Sequence, residues 1–271
     1  MKSTKLFIFS AFVLLASCDG RKEKRHGGNG DWVEKVVSTD HGPMRQKEMT
    51  GNFDEIEVSQ AIKAEIIKSD VEKVVISAPE NIIDEVLVDF SGDKLYIHYK
   101  KGIRVMNNHN VSAKIYAKDF SKIEANSAAG ITVKDKFVQD KMSIDVSSAA
   151  SVDGNLEAND FEISTGSSSS FSGKIWAVDL NIDASSGSSL DLSGKAKKAE
   201  ISSSSGSSIS AKNVVADNLR VEASSGASVD ISASSSIYAE ASSGGSVSVY
   251  KKGNVTSVTK EESSGGSVSI H

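Results

Sequence analysis

Residue types that commonly carry crosslinks or chemistry are scarce in this 271-residue chain, and each scarcity removes a class of protein. The single cysteine, Cys18, excludes an internal disulfide. The five histidines are scattered, without a cysteine, histidine or carboxylate at metal-ligand spacing, so we expect no metal and no cofactor. A net charge of -5 argues against nucleic acid as a partner, because phosphate binding needs a basic face. Prolines and aromatics are also few, whereas Ser, Gly and evenly spread aliphatics indicate a patterned fold.

The N-terminal segment has the features of a secretion signal. Lys2 and Lys5 flank the start of an apolar run from Leu6 to Leu15, and about ten residues are too few to span a bilayer. The run ends in Leu-Ala-Ser-Cys, which resembles the bacterial lipobox and implies cleavage before Cys18 and acylation of that residue. The alternative is an ordinary signal peptide with a chance cysteine. We predict a lipoprotein signal peptide over 1–17 and lipidation at Cys18.

A polar segment follows the predicted lipidation site. Residues 18–50 are predicted to form a lipid-anchored tether, whose basic residues either touch anionic head groups or, as we favour, are simply solvated. The expected location is therefore the bacterial cell envelope, with the outer membrane favoured and the periplasmic or surface face left open. The partner that this predicts is the membrane, through the N-terminal anchor.

Residues 51–121 are predicted to be an N-terminal, β-rich part of the folded domain. Apolar residues alternate at period two through Ile62, Ala64 and Ile66, and again after the turn at residues 91–94. A short helical turn is predicted at 81–85 and a polar connector at 103–110.

The Ser/Gly-rich remainder, 122–271, repeats. Each unit has a strand that ends in a small residue, a Ser/Gly/Ala corner, and then an aliphatic-x-aliphatic strand. Subtracting successive positions of the first aliphatic residue gives steps of 21, 19, 19, 19, 20 and 18 along Ile123, Ile144, Ile163, Ile182, Ile201, Val221 and Ala239. A period near twenty with short strands predicts the coils of a parallel β-solenoid, in which these aliphatics form one buried stack. Leucine-rich repeats share the period but need leucines that are absent here.

Outward positions of the predicted coils carry a second pattern, in which aspartate alternates with a hydroxyl. The column after the corner contains Asp153, Asp191 and Asp230, and the column before it contains Asp145 and Asp183. Like charges in adjacent rows would repel, so skipping a row keeps them apart. We prefer this interpretation to a row of calcium sites, because carboxylates about 9 Å apart cannot share one ion. These aspartates are candidate surface binding columns.

The chain resembles the putative autotransporter adhesin head domains called GIN domains, which occur largely in Bacteroidota envelopes. The resemblance rests on residues 53–58 (FDEIEV), 92–97 (GDKLYI), 111–133 and the Ser-Ser-Gly-Gly-Ser ending. It implies a right-handed β-helix-like fold on an envelope lipoprotein, and no binding residues are carried over. The expected fold is all-β: a right-handed parallel β-solenoid of about 20-residue coils with a β-rich N-terminal cap region. One departure is that Asp19 is followed by a mostly basic stretch, whereas surface-displayed lipoproteins of that phylum often carry an acidic signal.

The sequence offers no catalytic constellation. Serines recur in almost every coil, whereas a nucleophile would be singular and needs a base within reach. Trp176 either stacks on a sugar or, as we favour, packs inside a wide coil. We therefore predict a non-enzymatic, adhesin-like or structural binding module for an unidentified glycan or protein. Alternatives are an envelope sensor in stress signalling and, less favoured, a polysaccharide-acting β-helix enzyme. A homo-oligomer through the last coil's edge is left open.

Overall fold

The computed structural model describes residues 35–37, 42–105 and 110–271, and places side chains for 42–103 and 110–271. The predicted signal peptide, Cys18 and most of the predicted tether lie outside these residues. Within them the chain forms nineteen strands and one 3-10 helix, Ile83–Glu85, where the sequence predicts a helical turn. No helix in this part of the chain has the length and apolar character needed to cross a bilayer.

The strands that precede the repeats are short. They are β1 (Lys35–Val37), β2 (Met44–Thr50), β3 (Glu55–Val58), β4 (Lys63–Lys68), β5 (Lys73–Pro79), β6 (Val86–Ser91), β7 (Lys94–Tyr99), β8 (Ile103–Val105) and β9 (Ser112–Ala117). The strands of the repeats are mostly longer, with 14 to 17 residues in β11 to β16. They are β10 (Lys122–Ala125), β11 (Gly130–Val146), β12 (Ser151–Thr165), β13 (Ser170–Ala184), β14 (Ser189–Ser203), β15 (Ser208–Ala223), β16 (Ser228–Ala241), β17 (Ser246–Lys251), β18 (Ser257–Glu262) and β19 (Ser267–Ile270).

The repeats form a parallel β-solenoid, as the sequence predicts. Each of β11 to β16 pairs in parallel with the next along the chain. Ile163, Ile182 and Ile201 are in register with one another and almost fully buried. Neighbouring rows are about 4.8 Å apart, so these isoleucines form the continuous apolar stack on which the predicted fold depends.

Each long strand bends where the alternation of inward and outward residues slips by one. In β12, Val152 and Leu156 point into the core, and Phe161 and Ile163 do so further along, whereas two consecutive residues at 159–160 are exposed. A strand must turn its inner face to keep both apolar sets buried across such a slip. The coil therefore bends within the strand.

The Ser/Gly corners are two-residue turns with left-handed backbone. At one corner Ser186 has φ 52° and Gly187 φ 71°, and the N–H of Ser188 donates to the carbonyl of Ser185 over 3.1 Å. Two central residues with positive φ and this hydrogen bond define a type I′ turn. Glycine takes this conformation freely, whereas the corresponding Ser168, at φ 61°, bears a cost of about 1 kcal/mol.

The fourth residue of several corners carries a buried hydroxyl. Ser169 donates to the carbonyl of Val146 over 2.7 Å, and Ser207 donates to the carbonyl of Ala184 over 2.9 Å. Ser188 makes a longer bond of the same kind. These buried serines tie each corner to the backbone of the preceding coil, which satisfies polar groups that would otherwise be costly to bury.

The N-terminal strands extend the solenoid by further rows and close its end. β3 pairs in parallel with β10, and β4 with the first part of β11, so the segment before the repeats already forms a coil. β7 and β9, which come later in the chain, pair in parallel with the other edges of β3 and β4. β6 then pairs antiparallel with β7, and β5 pairs antiparallel with β9 and β2. This antiparallel layer is the predicted β-rich cap.

Three strands, β1, β2 and β8, form in ranges where the sequence predicts none. β2 lies within the predicted tether and pairs with β5. β8 lies within the predicted polar connector and pairs in parallel with β1, which is also in the tether range. The pattern of β2, which is exposed almost throughout, gives no apolar signal by which a strand could be recognised.

The last coil carries charges where earlier coils carry small apolar residues. Lys251 is in register with the buried Ala233, and Lys260 with the buried Ala239. Glu262 continues the alanine column and accepts a hydrogen bond from the N–H of Val268 over 2.6 Å. Charged side chains at inward positions of an end strand disfavour the addition of another strand. Some apolar columns therefore end in charge at the last coil, while Val258, Val268 and Ile270 continue others.

Candidate functional site

The outer face of the strands that follow the corners is a regular polar surface. It has a column of exposed serines, one in each row, in register from β12 to β19: Ser151, Ser170, Ser189, Ser208, Ser228, Ser246 and Ser267. We call this set the serine column. Because the aliphatic residues after each serine point inward, the serines must point outward, about 4.8 Å apart.

The predicted aspartate column runs beside the serine column. Register pairs Asp153 with Ser172, Ser172 with Asp191, and Asp230 with Ser210 on the neighbouring row, so aspartate and hydroxyl do alternate there. Ser172 donates to Asp153 over 2.7 Å. The intervening hydroxyl thus separates two carboxylates and also solvates one of them, which is consistent with charge management in a parallel stack.

The column before the corners contains Asp145 and Asp183 as predicted, but the alternation stops at its ends. Three glutamates stand in consecutive rows near the C-terminal end, at Glu222, Glu240 and Glu261. Arg220 forms an ion pair with Glu222, and this cation offsets part of the repulsion. Alternation is therefore one solution to like charges in a stack, and a neighbouring cation is another.

A ladder of ion pairs holds the other end of this column. Lys94 Nζ lies 2.7 Å from Glu57 and 3.0 Å from Glu124, and Lys122 Nζ lies 2.7 Å from Glu124 and 3.0 Å from Asp145. Burial alone would raise the pKa of the Glu124 carboxyl, but hydrogen bonds and charge from the two lysines bring this pKa below its usual value. Hydrogen bonds to Glu124 and Asp145 raise the pKa of Lys122.

These shifts determine how the ladder responds to pH. The folded-state pKa of Glu124 is lower than in an unfolded chain, so its stabilising effect is present above the unfolded value and is lost as pH falls through the folded value. For Lys122 the folded pKa is higher, so its effect is present below the unfolded value and is lost only at strongly alkaline pH. Lys94, Lys122 and Glu124 are therefore charged at neutral pH. Asp145 belongs to this structural ladder through its ion pair with Lys122.

Trp176 points outward, and the favoured interpretation of this residue as a core plug is wrong. Its side chain is 39% exposed, while its neighbours Ile175 and Ala177 are buried. Strand alternation from these two residues fixes the tryptophan on the outer face. Register places Trp176 between Glu157 on one adjacent strand and Lys195 on the other.

Sequence analysis overlooked the lysines that surround this tryptophan. Lys174 precedes Trp176 by two residues on β13, and Lys195 and Lys197 lie on β14, all of them exposed. The signal was available, since a step of 19 residues from Trp176 gives Lys195. Only the actual register shows that the two share a row.

Two concave regions lie at the N-terminal part of the solenoid. One, of about 690 Å³, is lined by five carboxylates and one ammonium: Asp54, Asp70, Glu72, Asp93, Asp119 and Lys118. The other is a groove of about 470 Å³ that ends at the start of the two outward columns and includes Lys63, Lys114, Thr132 and Asp153. In neither region, nor elsewhere in residues 42–103 and 110–271, do three His, Cys, Asp or Glu side chains converge as metal ligands would.

His98 is one of the scattered histidines, and contacts within the cap hold its side chain. Its Nε2 lies 2.9 Å from Asp89, its Nδ1 lies 2.7 Å from the carbonyl of Tyr99, and its ring stacks on Tyr96 at 4.1 Å. Each of its ring nitrogens therefore has a partner within the cap. This histidine supports the packing of β6 against β7, while His109 lies outside the described residues.

Comparison with known proteins agrees with this architecture. A solved structure from Parabacteroides merdae, described as a putative adhesin, superposes with a TM-score of 0.79 at 17% identity, covering 87% of this chain and 99% of that chain. A Parabacteroides distasonis protein described as a putative lipid binding protein gives 0.74 at 16% identity, covering 88% of this chain and 100% of that chain. At such identities the likeness concerns the fold alone.

The family comparison is more specific. Among curated proteins, no significant match is found. The profile of the family described as "Putative auto-transporter adhesin, head GIN domain" matches residues 52–253, which is most of the chain and includes the cap strands after β2 and nearly all the coils. The chain therefore belongs to the auto-transporter adhesin head GIN domain family.

Proposed function

We propose that this protein is a non-enzymatic envelope lipoprotein whose solenoid is an adhesin-like binding module. The observation that carries the proposal is the serine column with its neighbouring aspartate column, which repeats the same small polar groups on every row. The family's adhesin description and the adhesin description of a protein of like fold point the same way.

A tiled face suits binding better than catalysis. Catalysis needs a nucleophile, a base and an orienting group within hydrogen-bond reach of one another. Asp153 and Asp191 lie two rows apart, which is about 9 Å, and the hydroxyl between them belongs to Ser172. Repeated weak contacts, by contrast, add along an extended partner, and a stiff β-stack presents them without further ordering.

Binding by the face that carries the serine column is tested by making the same Ser→Lys substitution within this column and outside it. The full chain, purified in detergent, is screened against glycans and extracellular matrix proteins, and Ser208→Lys is compared with Ser202→Lys. Both serines are exposed and outward on neighbouring strands, but only Ser208 belongs to the serine column. Loss of binding in Ser208→Lys alone supports the proposal. Absence of any binding by the folded chain contradicts it, as does release of reducing sugar from envelope polysaccharide.

We also propose that acylation of Cys18 anchors the module to the envelope, with the outer membrane as its location. The support is the sequence of residues 1–18, with its basic start, short apolar run and lipobox-like end. Cells that express the chain are labelled with palmitate, and Cys18→Ala is the matched variant. Label that persists in Cys18→Ala contradicts lipidation. Protease treatment of intact cells then distinguishes surface display from a periplasmic orientation.

A further inference from the structure

The outer face around Trp176 combines an exposed aromatic ring with three exposed lysines. We call the four outward residues Lys174, Trp176, Lys195 and Lys197 the Trp176 patch. Trp176 and Lys195 are paired in register, so their side chains leave the sheet about 4.8 Å apart. Lys174 lies two positions before Trp176 on the same face, about 7 Å away, and Lys197 lies two positions after Lys195, at the bend of β14 where residues 197 and 198 are both exposed.

The three lysines of the patch differ in their neighbours: Asp217 stands beside Lys197 on β15, whereas the residues in register with Lys174 and Lys195 are uncharged. None of them forms an ion pair with another residue for which side chains are placed, whereas Lys122 and Lys136 on the same solenoid are paired with carboxylates. Glu157, which flanks Trp176 on the opposite row, is itself paired with Lys136 at 2.7 Å. In a chain of net charge -5, this leaves a local excess of positive charge beside the indole.

These features specify the chemistry of a partner. An exposed indole offers an apolar face to the C–H surface of a sugar ring, and ammonium groups pair with anions. We propose that the Trp176 patch binds an acidic polysaccharide, with a sugar ring on Trp176 and its carboxylates or sulfates on the three lysines. This inference rests on the proposed function as a binding module and names the partner class for one of its faces.

An anionic membrane is the competing partner, and the patch fits it less well. Membrane-surface binding needs several apolar side chains that enter the interface together. Val138, the exposed apolar residue in the same outward column, is two rows from Trp176, and the carboxylate of Glu157 stands between them. A lone indole without a second apolar side chain beside it therefore does not meet this requirement.

The test measures the affinity of the full chain in detergent for polygalacturonate by affinity electrophoresis. Fully methyl-esterified polygalacturonate serves as the uncharged ligand control. We expect the wild type to bind the acid polymer, to bind the ester at least tenfold more weakly, and to lose affinity as salt is raised. Trp176→Ala should weaken binding to the acid polymer by about tenfold or more, and Lys195→Gln by about threefold to fivefold.

Two variants provide matched controls. Lys47→Gln removes the same charge from an exposed residue on β2, in the cap, and should leave the affinity unchanged. Glu157→Gln removes the acid beside Trp176 and releases Lys136, so it should strengthen binding. Circular dichroism of each variant confirms that these outward substitutions leave the fold intact.

Three outcomes overturn the inference. They are unchanged affinity in Trp176→Ala, equal binding of the ester, and Trp176-dependent binding to phosphatidylglycerol vesicles in place of the polymer. If the patch variants bind as the wild type while Ser208→Lys loses binding to a glycan or matrix protein, this inference fails and the proposed function stands. If the folded wild type binds nothing in either screen, both fail.

Discussion

Replacement of Gly194 by alanine tests the coil packing most directly. Gly194 lies in β14 at φ 129°, in register with Ile175 on one side and Val214 on the other. A Cβ built on Gly194 would stand 1.8 Å from the carbonyl oxygen of Ile175. Ordinary contacts are above 3 Å, so the two coils would have to separate by more than 1 Å, which breaks the local hydrogen bonds between β13 and β14.

The matched control is Gly206→Ala at a corner. Gly206 has φ 72°, and a Cβ there would meet nothing within 4 Å. Its substitution therefore costs only the left-handed backbone, about 1 kcal/mol. Gly194→Ala carries a positive-φ penalty of its own and also displaces the backbone of the adjacent coil. We therefore expect the free energy of unfolding to fall by at least about 3 kcal/mol.

The assay is urea unfolding of each variant, followed by far-ultraviolet circular dichroism. The comparison rests on the difference between the two midpoints, because repeat arrays can unfold in stages and their absolute free energies are less well defined. Amide exchange should in addition show lost protection in β13 and β14 for Gly194→Ala alone. A difference between the two urea midpoints that corresponds, through the denaturant slope, to less than about 0.5 kcal/mol would refute the close coil approach.

Three further substitutions follow from the structure. Ser168→Gly should stabilise the protein by about 1 kcal/mol in the same urea assay, because Ser168 is exposed at positive φ; a loss of stability contradicts the turn assignment. Glu124→Gln should cost roughly 1 kcal/mol at pH 7. That cost should shrink as pH falls through the lowered pKa of the native Glu124 carboxyl, where the native carboxylate also protonates; a difference that is constant with pH speaks against the ladder. Lys260→Val extends an apolar column into the open end of the last coil and should cause concentration-dependent association in sedimentation, whereas Lys63→Val should stay unassociated; association in neither variant argues against the inward charge as a block.

Much of the solenoid could be predicted because its information is local and repeated. Ile163, Ile182 and Ile201 recur at a fixed step, and a fixed step in a parallel stack places each copy above the last. The Ser/Gly corners mark the ends of the strands for the same reason, since positive φ is costly for most residues. The candidate columns at Asp153 and Asp183 followed from the same repeat.

The cap and the Trp176 patch required three-dimensional information. β7 and β9 follow β3 and β4 in the chain yet lie on the far side of them, an order that no periodicity encodes. Trp176 was assigned inward from its size, although counting from Ile175 and Ala177 places it outward. At each bend within a long strand the alternation of inward and outward residues slips by one, so the count holds only between residues on the same side of a bend.

The sequence by itself determined the all-β class, the coil length, the buried stacks and the outward columns, because a repeat fixes all of these through spacing alone. Tertiary structure decided which side chains share a patch, how the ends of the stack are closed and which charges are paired. Those features depend on contacts between residues far apart in the chain, where neither period nor composition specifies the distance.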